Sequence, residues 1–157
     1  MKSDSVILRP AALADVPRIL ALIQPYVERG IVLPRSEENC RENIANFRVA
    51  EREGKLIGCV ALRPFGGNLY ELRSLVVDAA CQGTGIGAQL VQNELSRIRE
   101  RQKEWKIFTL TTTPDFFLRQ GFRQVDFRFP EKIWHDCDFC PKKDRCDEVA
   151  LLITSED

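Results

Sequence analysis

Residues 78 to 88 read DAACQGTGIGA, with glycine at 83, 85 and 87. The apolar run LVV stops just before them and QLVQNEL follows. Alternating glycines at a strand-to-helix handover strip side chains from the turn. A helix N-terminus there offers unpaired N–H groups and the positive end of the helix dipole, which together bind phosphate oxygens. Glycine also allows positive φ and close approach of an anion to the backbone. A turn that merely needs flexibility is the plainer alternative. Two phosphate loops fail on spacing. A P-loop needs Gly-Lys-Ser/Thr where this chain has Gly87-Ala88-Gln89, and a dinucleotide fingerprint needs G-x-G-x-x-G and a later acid where IFTLTT has threonines.

Two further groups of residues have chemistry available to them. Arg63 in CVALRPF and Arg73 in ELRSLVV interrupt apolar strand runs. A guanidinium in such a setting is costly without a partner, and its fork binds carboxylates at two points. Solvation at strand ends or pairing with local acids explains such arginines equally well. The stretch IWHDCDFCPKKDRCDE holds His135, Cys137, Cys140 and Cys146 in the spacing H-x-C-x2-C-x5-C. Those are ligand types that tetrahedral zinc accepts. The second C-x2-C pair of a zinc ribbon is missing, so free thiols are the alternative and no metal is assigned.

These residues need a frame. SVILRPA reads as a first strand, and a helix beginning at Asp15 or Pro17 runs through RILALIQPYVERG. Pro25 is expected to kink or divide that helix, and Gly30 to stop it. Ser36 reads as the cap of a second helix, EENCRENIANF, with Asn39 where a capping box prefers Glu or Gln. FRVAE and LIGCVALRPF form a hairpin signal with Gly54 in its turn. NLYELRSLVV is the next strand. After the glycines, Ile86, Leu90, Val91, Leu95 and Ile98 recur at helical spacing and mark a buried face. WKIFTLTT, FRQVDF and DEVALLIT read as strands, and PDFFLRQ as a short helix ending at Gly121. The pattern is α+β: one domain over 1–157, with a mixed, mostly antiparallel sheet flanked by helices and a cysteine-containing insertion at 132–147 before the last strand.

Composition narrows the partners. The 157 residues carry 23 basic and 23 acidic side chains. With no net charge, neither nucleic acid nor an anionic membrane is expected as a partner, and any anion needs a local site. No signal-peptide pattern and no stretch of membrane-spanning length is read in the sequence, so a cytoplasmic location is expected.

Taken in order, Gln82-Gly83-Thr84-Gly85-Ile86-Gly87, the strand before it, the amphipathic helix after it and FFLRQGF resemble the GNAT N-acetyltransferase superfamily. The signature is its Q/R-x-x-G-x-G/A, and FFLRQGF is similar to its F-Y-x-x-x-G-F element. The resemblance implies acetyl-CoA as cosubstrate. It implies that Gln82, Gly83, Thr84, Gly85, Ile86, Gly87 and Ala88 hold the pyrophosphate, that Leu75 and Val77 pair with the pantetheine arm, and that an N–H near Val76 polarises the thioester carbonyl. It also implies Glu71 as the base, although an acid that merely pairs with an arginine is the other reading. Phe117 stands where many members have a tyrosine acid, which leaves the general acid unassigned.

The stretch IVLPRSEENCRENIANFRVAEREGKLIGCVALRPF resembles the amino-acid N-acetyltransferase branch that makes N-acetylglutamate. That resemblance implies a small amino-acid acceptor, L-glutamate first, with main-chain contacts from Leu33 and carboxylate contacts from Arg35 and Arg63. Transfer to another amine, such as a protein N-terminus or a small-molecule amine, is the alternative. A non-catalytic acetyl-CoA sensor is the rival outside enzymology. Longer members carry a kinase-like domain for which this chain has no room, and family analogy allows a homodimer through exposed strand edges.

Overall fold

The computed structural model describes residues 5–125 and 149–157. Its strands are β1 (Ile7–Pro10), β2 (Phe47–Arg52), β3 (Lys55–Pro64), β4 (Leu69–Val77), β5 (Lys106–Thr111), β6 (Arg123–Val125) and β7 (Val149–Thr154). Its helices are α1 (Val16–Glu28), α2 (Glu37–Glu42), α3 (Ile86–Arg101) and α4 (Pro114–Arg119). The strand order is β1-β2-β3-β4-β5-β7-β6. β1–β2, β2–β3, β5–β7 and β6–β7 pair antiparallel, and β4–β5 pairs parallel. The mostly antiparallel α+β sheet expected from the strand pattern is therefore present. The segment with His135, Cys137, Cys140 and Cys146 lies outside the described residues.

The chain divides into two compact units, one of residues 1–63 and 72–101, the other of 64–71 and 102–157. In the first, β2 and β3 are joined by Glu53 and Gly54, both at positive φ (53° and 78°), the backbone that a two-residue hairpin turn requires. Successive strand residues face opposite ways, so one sheet face carries Phe47, Val49, Cys59 and Ala61. These pack with Val16, Ile19, Ile23 and Tyr26 of α1 and Cys40 of α2. The other face meets α3, where Leu90 and Ile86 close over Gly58. All five residues expected on the buried face of α3 are buried.

Two helix expectations need correction. Pro25 does not divide α1, which continues to Glu28. Proline forfeits one bond, to the carbonyl of Ala21, and both residues lie on the exposed face, where water replaces it. The chain stops three residues later, with Gly30 at φ 74° and its N–H on the Val27 carbonyl. The second helix ends at Glu42 instead of running on to Phe47, and a 3₁₀ turn covers Ile44–Asn46. Ser36 caps it as expected, accepting the Asn39 N–H at 3.0 Å.

In the second unit, Phe108 of β5 and Leu152 of β7 form a core with Phe65, Leu69, Leu110 and Val125. Phe117 of α4 packs edge-on against Phe116 and Phe122, with centroids 5.0 and 5.5 Å apart. The β4–β5 pairing runs over Leu69↔Lys106, Tyr70↔Ile107 and Glu71↔Phe108. Among the described residues, no helix is long and apolar enough to cross a membrane.

Candidate active site

β4 delivers the chain to the glycine loop. At its end, Asp78 N–H bonds the Ile57 carbonyl at 2.8 Å, and the Asp78 carboxylate caps the Ala80 N–H at 2.9 Å. Gly83 and Gly85 take φ 81° and 89°, and a Cβ at either would meet no atom within 4 Å. Their glycine identity thus answers to backbone conformation, with open space on the outer side. Among the described residues, no acceptor meets the N–H of Gly83, Thr84, Gly85, Ile86, Gly87 or Ala88. Six successive donors at the start of a 16-residue helix are the kind of arrangement that suits an anion. The donor set suits a diphosphate, which presents several acceptor oxygens and no donors at neutral pH.

The loop is held from behind by a residue whose role no local pattern marks. Tyr26 of α1 donates its hydroxyl to the Val77 carbonyl at 2.7 Å and accepts a hydrogen bond from the Gln82 side-chain amide. Gln82 also reaches the Val77 carbonyl at 3.4 Å. The Thr84 hydroxyl bonds back to the Cys81 carbonyl. The first signature residue is therefore tied to α1 and to the end of β4, while Gly83 and Gly85 stay exposed.

Within β4, Ser74 has φ 55°, the left-handed region that non-glycine residues rarely occupy. Cys59 of β3, fully buried, donates its thiol to the Ser74 carbonyl at 3.3 Å and meets the Val76 N–H. Burial pushes that thiol up to about 12, so it stays protonated and serves as a donor. A trans peptide sets its N–H opposite its carbonyl. With the Ser74 carbonyl turned to β3, the Leu75 N–H points away from β3. Glu71 lies three residues before Ser74 on the same strand and is buried.

Arg35, in the segment between α1 and α2, reaches Ser74. Its Nη2 donates to the Ser74 Oγ at 3.2 Å and its Nη1 to the Asn39 Oδ1 at 2.6 Å. Its guanidinium lies over the Phe47 ring, 5.1 Å from the centroid. Phe47 pairs with Ala61 across the ladder, and Arg63 is two residues beyond Ala61 on the same face of β3. Both arginines thus belong to one face and one end of the β2–β3 ladder. Leu33 is half-buried two residues before Arg35.

Two charged networks in the first unit were not legible as such. Asp15, nearly fully buried, accepts from Arg9 at 2.8 and 3.0 Å, from Arg18 at 2.5 Å and from the Ala12 N–H at 2.8 Å. The Arg9 bonds hold its carboxyl well below the usual range. Glu94, on the buried side of α3, pairs with Arg97 at 2.9 Å and approaches Arg48 of β2 at 3.8 Å. Burial outweighs those cations and pushes its carboxyl up. Among the described residues, no cluster of three or more His, Cys, Asp or Glu side chains is arranged to hold a metal.

Residues 43–124, more than half of the chain, match the family model described as "Acetyltransferase (GNAT) domain". The chain belongs to the GNAT acetyltransferase family. This GNAT protein is similar to an uncharacterized N-acetyltransferase of Chlorobaculum tepidum, 38% identical over 155 residues that cover 98% of this chain and 99% of that one. It is 35% identical over 123 residues to the amino-acid acetyltransferase of Mycobacterium tuberculosis, covering 76% of this chain and 70% of the relative. Among solved structures it is similar to N-acetylglutamate synthase from Neisseria gonorrhoeae complexed with coenzyme A and N-acetyl-glutamate. That likeness has a TM-score of 0.84 at 29% identity and covers 98% of this chain but only 36% of the other. The GNAT fold is thus shared along essentially the whole chain, and the acetyltransferase chemistry of the family comes with it.

Proposed function

We propose that this GNAT protein transfers the acetyl group of acetyl-CoA to the α-amine of an amino acid, with L-glutamate as the preferred acceptor. The observation that carries the reading is the placement of Arg35 at Ser74, on the strand that leads directly into the amide loop. In this reading the guanidinium, held against Ser74, binds the acceptor's carboxylate, and the loop that begins eight residues after Ser74 binds the diphosphate. Relatives named amino-acid acetyltransferase, and a neighbour holding N-acetyl-glutamate and coenzyme A, support the same acceptor class.

In this reading the amides of Gly83 to Ala88 hold the diphosphate, with Gln82 fixing the entrance to the loop. Main-chain groups of Leu75, Val76 and Val77 align the pantetheine arm. Acetyl-CoA supplies an activated acyl carbon, and attack on it requires a neutral amine. Glu71 takes a proton from the substrate ammonium, directly or through water. The Leu75 N–H, turned away from β3, is the donor for the developing oxyanion, because the neighbouring Val76 N–H meets Cys59. Arg35 and Arg63 bind the acceptor's carboxylates, and Leu33 contributes main-chain contacts. Holding both reactants along β4 supplies much of the rate by proximity. Residues 1–157 act as one transferase domain in the cytoplasm, as a homodimer, and the product feeds arginine biosynthesis.

The test is thiol release from acetyl-CoA across an amino-acid panel that includes glutamate, glutamine, spermine and an N-terminal peptide. Glutamate turnover should exceed the rest, and Arg35→Ala and Arg63→Ala should raise the acceptor KM more than that of acetyl-CoA. Turnover of spermine or the peptide, with none on free amino acids, would replace this acceptor with another amine.

A further inference from the structure

Cys59 is a buried thiol that takes no part in the proposed proton and acyl transfers. It lies in the middle of β3, pairs with Val49 of β2, and is fully buried in the core that β2 and β3 share with α1 and α2. Its thiol donates to the Ser74 carbonyl at 3.3 Å and meets the Val76 N–H. One side chain thus holds the backbone on both sides of Leu75. Ser74 needs such a hold. At φ 55° it interrupts the extended backbone of β4 with a conformation that is unfavourable for an L-residue. The polar backbone groups beside such an interruption still require partners. A thiol can serve two of them, since it carries one donor hydrogen and a weakly accepting sulfur. Burial pushes it up to about 12, so the donor hydrogen is present at every working pH. The direction of the Ser74 carbonyl also decides that of the next N–H, because the two lie opposite each other across one trans peptide.

We propose that Cys59 is a positioning residue for acetyl transfer: its thiol fixes the Ser74–Leu75 peptide so that the Leu75 N–H is already aimed when charge develops on the thioester oxygen. This rests on the reading of the Leu75 N–H as the oxyanion donor. The thiol acts through that peptide, touches neither reactant and forms no bond with the acyl group. A donor aimed at a developing charge is worth most when its direction is set before the reaction begins. Charge develops only in the transition state, so the contribution of Cys59 belongs in kcat and leaves the binding of acetyl-CoA nearly unchanged. The residue type fits the task, since an aliphatic side chain at position 59 would fill the core and leave the Ser74 carbonyl without this donor.

The experiment compares the parent with Cys59→Ala and Cys59→Ser in the full chain. Initial rates are taken with the acceptor that turns over fastest in the amine panel. Infrared difference spectra are taken of bound acetyl-CoA that is isotope-labelled at the thioester carbonyl. Thermal melts set a temperature at which all the proteins are folded, and Cys59→Val, which fills the site without a donor, replaces alanine if the smaller residue does not fold. Binding to the parent should lower the carbonyl stretching frequency, the signature of a hydrogen bond to its oxygen. Cys59→Ala should lose most of that shift and lower kcat at least about tenfold, part of what loss of a whole oxyanion donor costs. The acetyl-CoA KM should stay within about twofold. Cys59→Ser should keep more of the shift and of kcat than Cys59→Ala, because its hydroxyl replaces the thiol as donor. A Cys59→Ala protein with the parent's kcat and carbonyl shift overturns the inference and leaves the oxyanion role of Leu75 standing. A serine variant no better than the alanine one does the same, since the effect then belongs to the volume of the sulfur. A parent that binds acetyl-CoA with no carbonyl shift overturns both that role of Leu75 and the inference, without touching acetyl transfer itself.

Discussion

Gly58 is a silent residue in sequence terms, yet it seats the start of α3 against β3. An added Cβ would sit 3.1 Å from Leu90 Cδ1, 3.3 Å from Ile86 Cγ2 and 3.3 Å from the Val76 carbonyl oxygen. Carbon pairs prefer about 3.5–4.0 Å, so α3 must retreat by a few tenths of an ångström or the side chains must leave their rotamers. Leu90 can adjust. The Val76 oxygen belongs to β4 and cannot, and Ile86 is the first residue of α3, bonded directly to Gly85. Gly58 is not at positive φ, so alanine carries no backbone penalty and the cost is overpacking, about 1–3 kcal/mol. For a chain of this size that corresponds to a melting point lower by roughly 3–10 °C. Differential scanning calorimetry of Gly58→Ala reads the stability, and initial rates at varied acetyl-CoA read the loop. The melting point should fall within that range and the acetyl-CoA KM should rise. A variant as stable as the parent, with unchanged acetyl-CoA KM, refutes the claim that Gly58 seats the start of α3.

Tyr26→Phe removes the hydroxyl that joins Val77 and Gln82, and should weaken coenzyme A binding about tenfold in calorimetric titration, the size of one or two lost hydrogen bonds; an unchanged Kd would show that the loop does not need this tie. Asp15→Asn leaves Arg9 and Arg18 around a neutral group and should cost about 3 kcal/mol in urea unfolding at neutral pH. The folded carboxyl is depressed, so its contribution is present above the unfolded value of about 3.9 and is lost as pH falls toward the folded one. The gap between parent and variant should therefore narrow below about pH 4, and a constant gap contradicts the assignment. Glu94 has the opposite sign. Its folded carboxyl is raised, so its contribution is full below about pH 4.3 and declines as pH rises. Melts against Glu94→Gln should show the parent losing ground from acid to neutral pH, and a parent that gains ground refutes the dominance of burial.

Much of this arrangement was legible in the sequence because it follows from local rules. Glycines at 83 and 85 answer to positive φ, Gly54 to a hairpin turn, and Ser36 to a helix cap, each decided within a few residues. The buried stripe of α3 follows from spacing alone. Other features depend on partners far along the chain. Ser74 looks like any small residue in SLVV, and only Cys59 and Arg35, from β3 and the α1–α2 segment, explain its left-handed backbone. Tyr26 sits in a helix stripe that reads as core, and its link to Gln82 joins positions 56 residues apart. Glu94 had a signal that polarity masked, since it falls three residues after Val91 and four before Ile98, on the buried side. Pro25 misled because the rule for proline in helices assumes a carbonyl shut off from water, whereas Ala21 is exposed.

In the proposed reaction the open amides from Gly83 to Ala88 hold the diphosphate of the acyl donor, and the rest of the chemistry depends on that. The most direct measurement is calorimetric binding of coenzyme A against pantetheine, which lacks the diphosphate and nucleotide, to the parent and to Gly85→Ala. Coenzyme A should bind the parent at least about a hundredfold more tightly than pantetheine. Gly85→Ala should forfeit most of that advantage, since alanine at this φ strains the loop by about 1–2 kcal/mol and drives it out of the conformation that presents its amides. Equal affinities for the two ligands, or a Gly85→Ala variant that binds coenzyme A as the parent does, would contradict it.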